Sequence, residues 1–107
     1  MDREAAVEKC FYVKVYRVQD QVLVAACDAE LLGKTVRTES GVEVLISERF
    51  YGGELLEPER AREAMRSATS LNLVGNRIVN LALSSEIGHP DSVIMVDGVA
   101  HLILIHV

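Results

Sequence analysis

Tryptophan is absent from this 107-residue chain, and two phenylalanines and three tyrosines supply all of its aromatic area. The core must therefore be mainly aliphatic, which a single domain of this length can bury without covalent staples. Two cysteines, Cys10 and Cys27, are too few for a disulfide framework. The chain also lacks the Cys-x-x-Cys, His-x-x-x-His and His-Glu-x-x-His spacings, and on a strand His101 and His106 would face opposite sides. No metal and no cofactor is therefore expected. Eleven basic residues against sixteen acidic ones leave a net charge of −5, which argues against a nucleic-acid footprint over the whole surface and leaves room only for a local patch. Long apolar runs are missing too. Runs such as Leu102-Ile103-Leu104-Ile105 are far short of a membrane span, and the charged stretch from Met1 to Lys9 has no apolar signal-peptide region. The expectation is a cytoplasmic protein without a membrane partner, with a flexible extension over residues 1–9 and one domain over 10–107.

Half of the residues are hydrophobic and a quarter charged, as in ordinary globular domains. Cys10 to Val18 and Gln21 to Cys27 alternate like strands. Pairing Val18 with Gln21 across Gln19-Asp20 puts Phe11, Val13 and Val15 on one face with Val22, Val24 and Ala26. A slip by one residue would bury Lys14. The opposite face carries Tyr12, Lys14 and Tyr16 with Leu23, Ala25 and Cys27. Asp28 is placed to cap a short helix over residues 29–32, ended by Gly33. Lys34 to Thr38 and Val42 to Ser47 read as a second hairpin, and Phe50-Tyr51-Gly52-Gly53 as a turn into a helix opened by Pro58. That helix has a small-residue stripe of Ala61, Ala64, Met65 and Ala68. The longest apolar-periodic segment, Thr69 to Gly88, reads as one long helix and the spine of the core, with Asn72, Asn76, Asn80 and Ser84 stacked on one edge. Asp97-Gly98 is the strongest turn signal, between Val93–Val96 and Val99–Val107. The last strand is apolar on both faces, which suits a strand covered on both sides or one at a subunit interface. The fold class is α+β: three β-hairpins in a mainly antiparallel sheet against two consecutive helices, with a short helix after the second strand.

Several runs carry a resemblance. Tyr12-Val13-Lys14-Val15-Tyr16, Leu23 through Lys34 with its Cys-Asp-x-Glu-Leu-Leu-Gly core, Phe50-Tyr51-Gly52-Gly53-Glu54, Asn72-Leu73-Val74-Gly75 and Gly98-Val99-Ala100-His101 together resemble the archaeal family of domain of unknown function 424. The sequence departs from that family's pattern at Leu71 and Ala100. The resemblance implies a small archaeal cytoplasmic protein loosely associated with translation, and it supplies no mechanism.

Candidate residues divide by chemistry. Cys27-Asp28 sits where a strand gives way to a helix N-terminus, a setting that can lower a thiol pKa. With a histidine as base, Cys27 would be the nucleophile of a small enzyme. The favoured alternative is a buried, inert Cys27 beside a capping Asp28. Gly52, Gly53 and Glu54 precede a helix as anion-binding loops do, but the acidic neighbours would repel a phosphate. Tyr12, Lys14 and Tyr16 could stack single-stranded RNA unless a helix covers them. Three asparagines in one helix cost stability unless something uses their amides. Taken together, a non-catalytic interaction protein is expected, serving translation or ribonucleoprotein machinery. Its surface would be built from Cys27, Asp28, Glu30, Gly52, Gly53, Glu54, Asn72, Gly75, Asn76, Asn80 and His101, with a protein or ribonucleoprotein partner, and the apolar last strand is compatible with a homodimer.

Overall fold

Alternation sets the first two strands. β1 (Phe11–Val18) and β2 (Gln21–Asp28) pair antiparallel in the expected register, with Val13 opposite Ala26 and Val18 opposite Gln21. Gln19 takes the left-handed conformation, φ 53°, that the two-residue turn requires. The computed structural model describes residues 9–106, so most of the expected extension over 1–9 lies outside the described residues. After β2 come one turn of 3-10 helix (Ala29–Leu31), β3 (Thr35–Arg37), β4 (Glu43–Leu45), α1 (Glu48–Tyr51), β5 (Glu54–Leu56) and α2 (Pro58–Arg66). β6 (Ser70–Val74), α3 (Asn76–Ser84), a 3-10 turn (Pro90–Ser92), β7 (Ile94–Val96) and β8 (Val99–Ile105) complete the fold.

Six strands form one sheet in the order β5-β1-β2-β6-β8-β7, and β3-β4 stand apart as a two-stranded sheet. Every pairing is antiparallel except β2 with β6. The fold is therefore α+β, with the hairpins and the short turn after β2 where the sequence places them. Asp97 and Gly98, φ 54° and 74°, make the tight β7–β8 turn.

Two expectations fail. Thr69 to Gly88 is not one helix: Ser70–Val74 is the central strand β6, and the helix begins only at Asn76. Leu71 and Leu73 are buried while Ser70 and Asn72 are half-buried, a strand's alternation that the helical spacing of Leu71, Val74 and Ile78 masks. Residues 50–53 are likewise not a simple turn. They end α1 and lead into β5, which pairs with β1 through Val13 and Glu54.

α2 and α3 cover one face of the sheet. There Phe11, Val13, Val24, Ala26, Leu71, Leu73 and Leu102 meet Ala61, Met65, Ile78, Val79 and Ala82, and each large aliphatic side chain so buried contributes about 1.5–3 kcal/mol. The other face has a smaller cover. Ala25, Cys27 and Val74 pack beneath Val36, Ile46 and Tyr51 from the small sheet and the α1 segment. That cover reaches Val96 and Val99 at the last turn but stops short of Ile94, Ile103 and Ile105, which are 65%, 60% and 71% exposed. From Ile103 on, β8 is thus covered on one face only. Among the described residues no helix is long and apolar enough to cross a membrane.

Candidate functional site

Parallel pairing brings the ends of β2 and β6 side by side, with Cys27 opposite Val74. The next residues, Asp28 and Gly75, meet there. Gly75 holds φ 133°, and a Cβ on it would stand 2.6 Å from both carboxylate oxygens of Asp28. Asp28 is 3% exposed. Its Oδ2 accepts the Arg77 N–H at 3.1 Å and its Oδ1 the Ile78 N–H at 2.7 Å. A helix N-terminus commonly receives an external anion; here the chain supplies the carboxylate itself. Burial pushes the Asp28 carboxyl above its ordinary pKa, against the pull of the two amides.

Arg77 extends this lock. Its guanidinium donates to both carboxylate oxygens of Glu30, at 3.0 and 2.6 Å, and to the Cys10 carbonyl at 3.0 Å. It also lies 4.7 Å from the centre of the Phe11 ring. The Arg77 hydrogen bonds hold Glu30 below its ordinary pKa. The Cys-Asp-x-Glu run and the Val-Gly-Asn-Arg run thus find each other, but their meeting point is an internal fastening rather than an exposed surface. Asp28 does not cap residues 29–32 as expected, because the helix whose N-terminus lies beside the end of β2 is α3.

The asparagine row dissolves with the long helix. Asn72 lies in β6, and its Oδ1 accepts the Tyr51 hydroxyl at 2.7 Å. Asn76 clamps the last hairpin: it donates to the Gly98 carbonyl at 3.1 Å and accepts the Ala100 N–H at 2.8 Å. Asn80 is exposed on α3. Gly52 donates to the Glu48 carbonyl and closes α1. Gly53 is where β5 crosses close to β1, since a Cβ there would collide with the Val13 carbonyl and stand 2.8 Å from Lys14 Cα. Glu54 is exposed beside it.

Two alternatives fall on this geometry. Cys27 is 0% exposed, and burial, then Asp28 and Glu30, push its thiol up to about 12. His101 is no base for it, because Val74 stands between them across the sheet. A Cys27 nucleophile is therefore overturned. So is RNA stacking on Tyr12, Lys14 and Tyr16. α1 covers them, with Lys14 Nζ donating to the Arg49 carbonyl at 2.7 Å, the Tyr16 hydroxyl to the Phe50 carbonyl at 2.8 Å, and the Tyr16 and Phe50 rings stacked at 5.6 Å.

What stays open is the β6–β8–β7 half of the sheet. In its rows Ser70 faces Ile105, Asn72 faces Ile103, and His101 faces Ile94. The His101 Nε2 is buried with no hydrogen-bond partner among the described residues, and burial lowers that imidazole's pKa. At the β7 edge a cleft of about 820 Å³ separates Ile94–Gly98 from the β3–β4 connection at Arg37, Thr38, Glu39 and Ser40. Of the expected site residues, only Asn72 and His101 belong to this face. Ile94, Ile103, Ile105 and Tyr51 escaped the sequence reading, although a last strand apolar on both sides was the signal for two of them.

No curated protein matches the chain. A solved structure, described as the crystal structure of an uncharacterized conserved protein from Methanopyrus kandleri, is similar over 89% of this chain and 90% of its own, at 27% identity and a TM-score of 0.75. A family profile matches residues 16–107, and the chain belongs to the family it describes, Protein of unknown function (DUF424).

Proposed function

We propose that this protein is a non-catalytic interaction domain whose docking surface is the open half of its sheet. The observation that carries this is the exposure of Ile94, Ile103 and Ile105 on one continuous face. Contiguous apolar surface of this kind marks contact sites for other macromolecules. Ser70 and Asn72 supply polar neighbours, and the Tyr51 hydroxyl fixes the Asn72 amide, so the patch has the apolar centre and polar rim of a protein interface. The residues that could have done chemistry are committed elsewhere: Cys27 is buried, and Asp28 and Glu30 hold α3 in place. The partner is a protein, and translation machinery is the setting that the family resemblance suggests.

A photo-crosslinking residue at position 103, compared with one at Arg60 on the solvent side of α2, tests this in native archaeal lysate. Capture at 103 and not at 60, lost on Ile105→Ser at unchanged stability, is the expected result. Equal capture at both positions, or none at 103, would refute it.

A further inference from the structure

The two edges of the main sheet differ. β5 carries Glu54 and runs into Glu57-Pro58, charge and proline being usual protections against added strands. β7 reads Ile94-Met95-Val96 and carries neither. Its side chains alternate across the sheet, yet Ile94 on one face and Met95 on the other are 65% and 59% exposed. Only its Val96 end packs against the Val36, Ile46 and Tyr51 cluster among the described residues, which leaves Ile94 and Met95 open.

The backbone of β7 is available as well. Met95 lies opposite Ala100, but the Ala100 N–H is given to Asn76 Oδ1 and its carbonyl accepts the Gly75 N–H at 2.8 Å. Both polar groups of Ala100 therefore point away from β7. Met95 is then in a non-hydrogen-bonded pair, and its own N–H and C=O point outward to the free edge. The cleft described above lies along that edge, walled by the β3–β4 connection. The Arg37 N–H donates to Asp97 Oδ2 at 3.1 Å, which fastens that wall at one end.

The charge of the cleft selects its occupant. The Arg37 guanidinium is paired with Glu43 at 2.8 Å, whereas Glu39 and Asp97 form no ion pair among the described residues. The cleft is acidic in a chain whose net charge is already −5. A second copy would bring its own Glu39 and Asp97 against these. A basic segment would not.

We infer that β7 is a receiving edge for an extended, lysine- or arginine-bearing segment of a partner protein, which adds to the sheet as a further strand. This rests on the interaction reading and deepens it. Backbone hydrogen bonds at Met95 give attachment, basic side chains meet Glu39 and Asp97, and alternate apolar side chains extend the Ile94–Ile103 face.

The test uses the full, isotopically labelled chain titrated with an alternating lysine–valine hexapeptide, with its glutamate–valine counterpart as control, followed by amide NMR. The basic peptide should shift the Met95 and Val96 amides, protect the Met95 N–H from exchange, and bind more weakly as salt rises. Met95→Pro removes the outward N–H without touching the β8 ladder and should weaken binding about tenfold. Glu39→Lys should weaken it without altering the fold. The inference is overturned if these amides stay unmoved, if both variants bind the basic peptide undiminished, if the acidic peptide binds equally, or if sedimentation shows a dimer that by itself protects the Met95 N–H. Crosslinking at position 103 that persists while the basic peptide fails to bind would overturn the edge and leave the open-face reading standing. Peptide binding without that crosslinking would do the reverse.

Discussion

Replacing Gly75 by alanine probes the meeting of β2 and β6 most directly. The new Cβ would stand 2.6 Å from both Asp28 oxygens, at a backbone φ of 133°. Holding a non-glycine residue there costs about 1–3 kcal/mol. Displacing Asp28 weakens its bonds to the Arg77 and Ile78 amides, each worth about 1.5–3 kcal/mol as a hydrogen bond to a charged group. Midway strain and the loss of one such bond give about 4 kcal/mol for Gly75→Ala. Asp28→Ala loses both bonds, about 3 kcal/mol at the lower figure, but it also removes the group with which the new Cβ collides. The double variant should therefore lose about 5 kcal/mol, against the roughly 7 of simple addition. Urea titration of the four proteins at neutral pH measures this, with a stabilising osmolyte added throughout because whole-domain stabilities are of similar size. Additivity within about 0.5 kcal/mol would refute the reasoning; glycine would then be needed for its φ alone, and the closeness of Asp28 would be incidental.

Asn76→Ala should cost about 1–2 kcal/mol in the same assay, since two hydrogen bonds to the last hairpin go, and it should speed exchange of the Ala100 amide; an unchanged exchange rate would count against the clamp. Cys27, with its thiol pushed up to about 12, should resist iodoacetamide at neutral pH until urea unfolds the chain, as read by mass spectrometry, and labelling of the native protein there would contradict its burial. Glu30→Gln tests the pH profile. The folded pKa of Glu30 is lowered by Arg77, so its contribution is present above the ordinary carboxylate value of 4.5 and is lost as pH falls through the lower folded value. The stability gap between wild type and Glu30→Gln should therefore close on acidification, and a constant gap would refute the coupling. Asp28 runs the other way: burial raises its folded pKa, so the pH-dependent part of its contribution, which adds to the fixed bonds to α3, is full below 3.8 and is lost as pH rises through the higher folded value.

Local pattern told a great deal about the hairpins. The β1–β2 register follows from keeping Lys14 out of the core, and the last hairpin from Asp97-Gly98. Pro58 marks the first residue of α2. What local pattern hid was β6. Ser70-Leu71-Asn72-Leu73-Val74 alternates, but Leu71, Val74 and Ile78 also fall at helical spacing, and over so short a run the two periods are indistinguishable. Gly75 was the available clue, because a glycine between two periodic segments can mark a break. The candidate site suffered from the same ambiguity. With Asn72 on a strand and Asn76 on a helix, their side chains serve Tyr51 and the last hairpin. Local pattern makes Asp28 a cap for residues 29–32, but the amides it accepts are those at the start of α3, across a pairing that no local window contains.

The single parallel pairing also has a bearing on how the chain folds. β1–β2 and β7–β8 each close across a two-residue turn, a step completed within microseconds. β6 joins these hairpins, and it does so by pairing Ser70 with Leu23. Closing the intervening segment costs about 3 kcal/mol in the length-dependent part of its loop entropy. Neither half of the sheet can complete the core until that closure succeeds, because Leu71 and Leu73 stand at its centre. The expectation is that folding is limited where β6 docks, and that the fastening of Asp28 to the start of α3 then secures this long-range contact.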